Sequence, residues 1–104
     1  MNKEDYELTV MDLITNAGQA KSESMSAIHY AKNNDFAAAD VAMEECGKFL
    51  RLAHGVQTRL IGLDEGEGKV PVTLVMVHAQ DHLMNAVLMK DLAQEFIDLY
   101  KRQA

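Results

Sequence analysis

Apolar and polar residues follow one another along this chain with the period of an α-helix, and proline and glycine divide the pattern into three long segments. From about Lys3 to Lys32, Val10, Ile14, Ala17, Met25 and Ile28 recur mostly at spacings of three and four, with Glu, Lys and Ser between them. That spacing predicts an amphipathic helix. Ala17 and Ala20 beside Gly18 are small, so a second helix can approach closely there. Asn33-Asn34-Asp35 breaks the pattern and supplies an N-cap for a second helix, whose apolar stripe is Phe36, Ala39, Met43, Cys46, Phe49, Leu50, Ala53 and Leu60. Gly62, Gly66 and Gly68 soften its end. The polar stretch from Leu63 to Lys69 reads as a mobile connection, and its acids would repel a phosphate ligand.

The third segment begins at Pro71, a favoured first helical residue, and runs to about Lys101. Its opening, Val70 to Val77, has the β-branched content of a buried strand. The apolar pattern nevertheless continues through Leu83, Val87, Leu88, Leu92, Phe96 and Tyr100 without a turn signal, and strands seldom exceed about ten residues. Read as a helix, residues 72–89 are apolar nearly all round, so they need burial from more than one side. The predicted fold is all-α: a single domain over residues 1–104, an antiparallel three-helix bundle with apolar surface to spare.

Leu74, Val77, Asp81, Met84 and Leu88 alternate three and four residues apart, the pattern of a helix–helix seam, and Asp81 stands in its middle. Copies of this helix would meet along that line. Carboxylates facing one another in a dry seam require protons or a cation, and a hard divalent ion with oxygen ligands is the natural neutraliser. The alternative is that Asp81 pairs with a Lys or Arg of its own chain.

Charge narrows the partners. Sixteen acidic against ten basic residues give a formal net charge of −6, with no basic cluster, which argues against nucleic acid, whose phosphates call for cationic groups. A basic protein surface is the better match. The one cysteine, Cys46, cannot form an intrachain disulfide and sits on the second helix's apolar stripe, where packing is its expected role. The acidic Met1-Asn2-Lys3-Glu4-Asp5 terminus lacks the apolar core of a signal peptide, and no run reaches the roughly eighteen apolar residues of a membrane span. A cytoplasmic protein is expected.

The chemistry is concentrated in Val77-His78-Ala79-Gln80-Asp81-His82-Leu83-Met84. On a helix, His78 and His82 lie on neighbouring parts of one face, and Asp81 points roughly a quarter-turn away. The cluster therefore holds two sites: a paired-His face and a separate carboxylate that an apolar setting would bury at a cost of several kcal/mol or more. A His-x-x-x-His pair can bind zinc, but Ala79 stands where a metalloprotease carries Glu and no further ligand completes a shell. A neutral imidazole can instead accept a phosphoryl group. His29 and His54 are expected to be structural, hydrogen-bonded residues.

Taken together these residues closely resemble the IIA component of the lactose/cellobiose (N,N′-diacetylchitobiose) class of the bacterial phosphoenolpyruvate-dependent sugar phosphotransferase system. The resemblance runs through Asn16-Ala17-Gly18-Gln19-Ala20, Asp35-Phe36-Ala37-Ala38-Ala39, Ala53-His54 with Gln57-Thr58, Gly66-Glu67-Gly68-Lys69 and, most specifically, Val77 to Met84. It implies a homotrimer whose subunits take a phosphoryl group from the carrier HPr on Nε2 of His78. Each subunit then passes the group to a cysteine of the IIB protein, which serves the membrane component IIC. It further implies that Asp81 meets its two symmetry copies around a metal ion on the threefold axis, with Mg²⁺ expected from all-oxygen ligation and one ion per trimer. His82 matches a second family histidine expected to tune the first. Gln80 lies almost opposite His78 on an ideal helix, so it could reach the phosphoryl group only across the trimer. The sugar is expected to be a β-linked disaccharide such as cellobiose, lactose or chitobiose. Two other classes compete: a metal-binding structural trimer, in which His78 is incidental, and a histidine-phosphotransfer signalling module, which would normally be a four-helix bundle with a basic residue near its histidine.

Overall fold

The computed structural model describes residues 1–104 as three long helices: α1 Lys3–Lys32, α2 Phe36–Asp64 and α3 Leu74–Gln103. Each is about 45 Å long by its rise per residue, and they lie side by side in a rod of 52 × 21 × 19 Å. The Tyr6 hydroxyl, near the start of α1, reaches Pro71 and Thr73 at the entry to α3. Lys101, at the end of α3, pairs with Asp40 at the start of α2. Hence α1 and α3 run parallel and α2 runs antiparallel to both, with α1 packed more extensively against each neighbour than they are against each other.

Local chemistry sets the helix ends. Asn2 caps α1 by accepting from the Asp5 N–H, and Asp35 caps α2 by accepting from the Ala38 N–H, as the Asn33-Asn34-Asp35 break predicts. The start of α3 is three residues later than the proline suggests. Pro71 stays outside the helix, and Thr73 is the N-cap, its side chain accepting from the Met76 N–H. Gly62 lies within α2, and Glu65 ends that helix in the left-handed conformation. The connection after it is tied down: one Asp64 carboxylate accepts from the N–H groups of both Gly68 and Val70. Gly66 and Gly68, at φ of 69° and 74°, supply the backbone conformation this turn demands.

The core is made largely of small residues. Ala17, Ala20, Ala27 and Ala31 of α1 face Ala39, Ala42 and Ala53 of α2 and Ala79, Ala86 and Ala93 of α3, with Val10, Leu13, Leu60, Leu83 and Ile97 as the larger fillers. Alanine at the contacts lets helix axes approach to the short end of the usual 8–10 Å range. Gly18 takes no part in this approach, since a Cβ there would meet nothing. Cys46 is packed as expected, and its Sγ lies 3.1 Å from the buried Ser24 Oγ. Met25, placed on the apolar stripe by its spacing, is 38% exposed.

One consequence governs the rest of the molecule. α3 turns Met76, Ala79, Leu83, Ala86, Ala93 and Ile97 inward, and leaves Leu74 87%, Val77 52%, Met84 57% and Leu88 57% exposed. The helix thus carries two apolar stripes on opposite faces, of which a single chain buries one.

The Tyr6 hydroxyl donates to the Pro71 carbonyl (2.7 Å) and lies 2.9 Å from Thr73 Oγ1, so it links α1 to the cap of α3. Tyr6→Phe should lower stability by about 1 kcal/mol. Thermal unfolding at fixed protein concentration should show the midpoint falling by roughly 4–8 °C; an unchanged midpoint would mean that the cap holds without this link.

Candidate functional site

α3 presents His78 a little over one turn after its cap, on the solvent side of the bundle. Helical side chains lean toward the N-terminus, so the imidazole lies over the first turn, where Leu74 and Val75 are exposed. His82, four residues on and half-buried, meets it directly. The two Nε2 atoms are 3.1 Å apart, and the rings stand nearly perpendicular, at 87°, with centroids 4.5 Å apart. One imidazole must donate and the other accept across such a contact, so each fixes the tautomer of the other. The predicted paired-His face is therefore real, and it is surrounded by apolar surface.

Asp81 sits apart from the pair, in the middle of the outward stripe. It is exposed in the single chain rather than buried, because the whole Leu74-to-Leu88 stripe faces away from α1 and α2. Pairing with a Lys or Arg of its own chain is ruled out, since the ion pairs present join Lys48, Lys69 and Lys101 to other acids. A free carboxylate fits a hard divalent ion by its oxygen donors. One subunit, however, contributes only this one, and no cluster of three His, Cys, Asp or Glu capable of holding a metal occurs within the chain.

Gln80 lies on the other flank of α3, half-buried toward α2, where its Oε1 accepts from Gln57 Nε2 at 2.8 Å. It does not approach His78 of the same chain, as its angular position requires. The Gln57 partnership was not legible in the sequence, because a lone polar residue on an amphipathic helix looks the same whether it faces water or a neighbouring helix. Thr73 did leave a signal: it stands directly before an apolar helical run, where an N-cap belongs. His29 and His54 are exposed, and only their backbone carbonyls accept hydrogen bonds, from Asn33 and Thr58. The structural role expected of their imidazoles is absent because both sit on outward faces.

A family model described as "PTS system, Lactose/Cellobiose specific IIA subunit" matches residues 8–101. The N,N′-diacetylchitobiose-specific EIIA component of Escherichia coli (strain K12) is 50% identical over 99 residues, covering 95% of this chain and 85% of its own length. Among solved structures, the cellobiose-specific enzyme IIA from Bacillus anthracis matches with a TM-score of 0.92 at 42% identity, covering 99% of this chain and 93% of that one. The chitobiose IIA of Escherichia coli, solved in solution in complex with HPr, matches with a TM-score of 0.82 at 48% identity, covering 94% and 95%.

Proposed function

The chain belongs to the lactose/cellobiose-specific IIA family of the sugar phosphotransferase system, and we propose that it carries its phosphoryl group on Nε2 of His78. The observation that supports this reading is the Nε2-to-Nε2 contact of His78 with His82 on an open, apolar-rimmed helix face. If His82 donates, the proton of His78 resides on Nδ1 and its Nε2 holds a lone pair, the form a nucleophile needs. In this reading His82, half-buried beside His78, turns aside as the phosphoryl donor docks, then donates to a phosphoryl oxygen.

The donor in this reading is phospho-HPr, in keeping with the HPr complex of the chitobiose relative. The lone pair of His78 Nε2 attacks phosphorus as the P–N bond to the donor histidine breaks, and the departing electron pair stays on the donor imidazole. Each ring keeps the proton on its other nitrogen, so one phosphoryl group moves and nothing is oxidised or reduced. A cysteine thiolate of IIB then attacks the same phosphorus, forming a P–S bond and returning the electron pair to Nε2. Alignment and water exclusion carry most of such a transfer, because the charge of the loose transition state is spread over the equatorial oxygens. The exposed Val75, which lies off the outward stripe, serves that end. Both partners use one nitrogen, so they bind in turn. The transported sugar would be a β-linked disaccharide such as cellobiose, lactose or chitobiose, delivered through the membrane component IIC. No helix of this chain is itself long and apolar enough to cross a membrane.

The working form is a homotrimer built on the outward stripe of α3. Burying Leu74, Val77, Met84 and Leu88 against two copies contributes about 1.5–3 kcal/mol for each side chain fully covered, and it brings three Asp81 carboxylates together. A divalent cation, Mg²⁺ by its preference for oxygen ligands, would supply charge neutralisation there. Asp81 is then a residue of assembly, and His78 the residue of chemistry.

His78→Ala should fold and assemble normally yet take no phosphate from phosphoenolpyruvate, enzyme I and HPr, as read by intact mass; a normal level of phosphorylation would sink the assignment. His82→Ala should slow labelling about tenfold or more without abolishing it, and complete loss would make His82 essential rather than auxiliary. For the axis, sedimentation should show the wild-type trimer loosening in chelator. Asp81→Leu, which completes the apolar stripe, should stay trimeric with or without it. A monomeric Asp81→Leu protein beside a chelator-indifferent wild type would show that the carboxylate holds the trimer by a direct contact instead.

A further inference from the structure

The outward stripe of α3 divides its chemistry into two flanks. His78 directly follows the stripe residue Val77, and Gln80 directly precedes the stripe residue Asp81, so the two occupy opposite sides of the seam, the positions flanking a coiled-coil core. Where parallel helices meet around such a seam, one flank of each helix adjoins the opposite flank of the next. Gln80 of one subunit therefore faces the His78 side of its neighbour. A groove of about 370 Å³, lined by Met76, Val77, Val72 and Gln80 itself, lies open beside it.

Gln57 decides which end of the Gln80 amide is available. Its Nε2 donates to Gln80 Oε1 at 2.8 Å, which occupies the acceptor end. The donor end is left with Met76 Sδ at 3.6 Å, a weak acceptor that is readily exchanged for a better one. Phosphoryl oxygens only accept hydrogen bonds, and a bond from an N–H to a charged acceptor is about twice as strong as a neutral one. An amide presenting its oxygen would repel the same group.

We infer that Gln57 is a positioning residue: by holding the carbonyl oxygen of Gln80, it presents the Gln80 amide nitrogen as a donor to the phosphoryl group on His78 of the adjacent subunit. The inference rests on the trimeric, His78-phosphorylated reading above. Gln57 touches neither phosphorus nor the reacting nitrogen, and acts only through the amide it orients.

A double-mutant cycle with Gln80→Leu tests it. Gln57→Glu keeps the size of the side chain but offers Gln80 an acceptor, so the Gln80 amide turns its nitrogen inward and its oxygen toward the phosphoryl group. Transfer from phospho-HPr should slow about tenfold, and the isolated phosphoprotein should lose phosphate correspondingly faster. In the Gln80→Leu background the same substitution should change neither rate by more than about twofold. Equal slowing in both backgrounds would show that Glu at position 57 acts by its charge or on the fold, and a wild-type rate in the single variant would show that the amide's orientation is immaterial; either overturns the inference. Gln57→Met, which frees the Gln80 oxygen without adding charge, runs through the same cycle should the Glu variant not fold. Its expected result is a smaller slowing that vanishes in the Gln80→Leu background, and one that persists there overturns the inference. Peptide mapping of wild-type phosphoprotein separates the two levels. Phosphate on a residue other than His78 removes the inference together with its premise, whereas phosphate on His78 with unaltered kinetics in the variants removes the inference alone.

Discussion

Close packing of alanine against alanine is the constraint on which this molecule depends. Ten alanines make up more than half of the buried hydrophobic residues, and they draw the helices together into a rod only 21 × 19 Å across. An interior that narrow has little room for large side chains. The bulky aliphatics of α3 are consequently divided between an inner stripe, where Leu83 and Ile97 fill the few wide places, and an outer stripe that a single chain leaves bare. An apolar stripe of that length on a free surface is a site of association. The pull toward assembly thus follows from the size of the core residues as much as from the outward residues themselves.

The functional side chains take their separate roles from the same geometry. Asp81 interrupts the outer stripe, so any assembly along it must deal with carboxylates near an axis. His78 and His82 lie to one side, close enough to the stripe to be framed by its aliphatics and far enough from the core to remain accessible to partners. Gln80 lies to the other side, against α2. One helix therefore presents a lone carboxylate, a histidine pair and a hydrogen-bonded amide along different lines. Its register is held at the N-terminal end by the Thr73 cap and the Tyr6 hydroxyl. His78 stands only five residues beyond this cap, so in the proposed trimer any rotation of α3 would move the imidazole and Gln80 in opposite senses relative to a neighbouring subunit.

An acidic chain suits this division of labour. The formal charge of −6 favours encounter with basic protein surfaces, while the immediate surroundings of His78 are apolar. In the proposed transfer, long-range attraction would bring the phosphoryl donor to the molecule, and the short-range surface would then exclude water around His78 Nε2. The two partners of that proposal would share such a surface through apolar contact more than through a set of directional bonds.

The sequence by itself determined the helices, because periodicity, caps and breakers are local: the Lys3-to-Lys32 span, the Asp35 cap and the helical rather than extended reading of residues 74–77 all stand in the structure. It also located the His78–His82 pair and the outer stripe with Asp81 in it, since spacings of three and four translate directly into faces. The family was legible for a further reason, the resemblance carried by the run from Val77 to Met84. Tertiary structure alone decided the rest. Pro71 was displaced by Thr73 as the start of α3 because the Tyr6 hydroxyl, distant in sequence, anchors that segment outside the helix. The loop after Asp64 is tied by a carboxylate that serves two backbone groups, whereas glycine content alone suggested mobility. Met25 lies outside the packing its spacing implied, and Gln57 meets Gln80 through a contact between two helices. Each of these turns on which residues of one helix face which residues of another, and periodicity within a single helix, however regular, carries no information about the angle at which a second helix arrives.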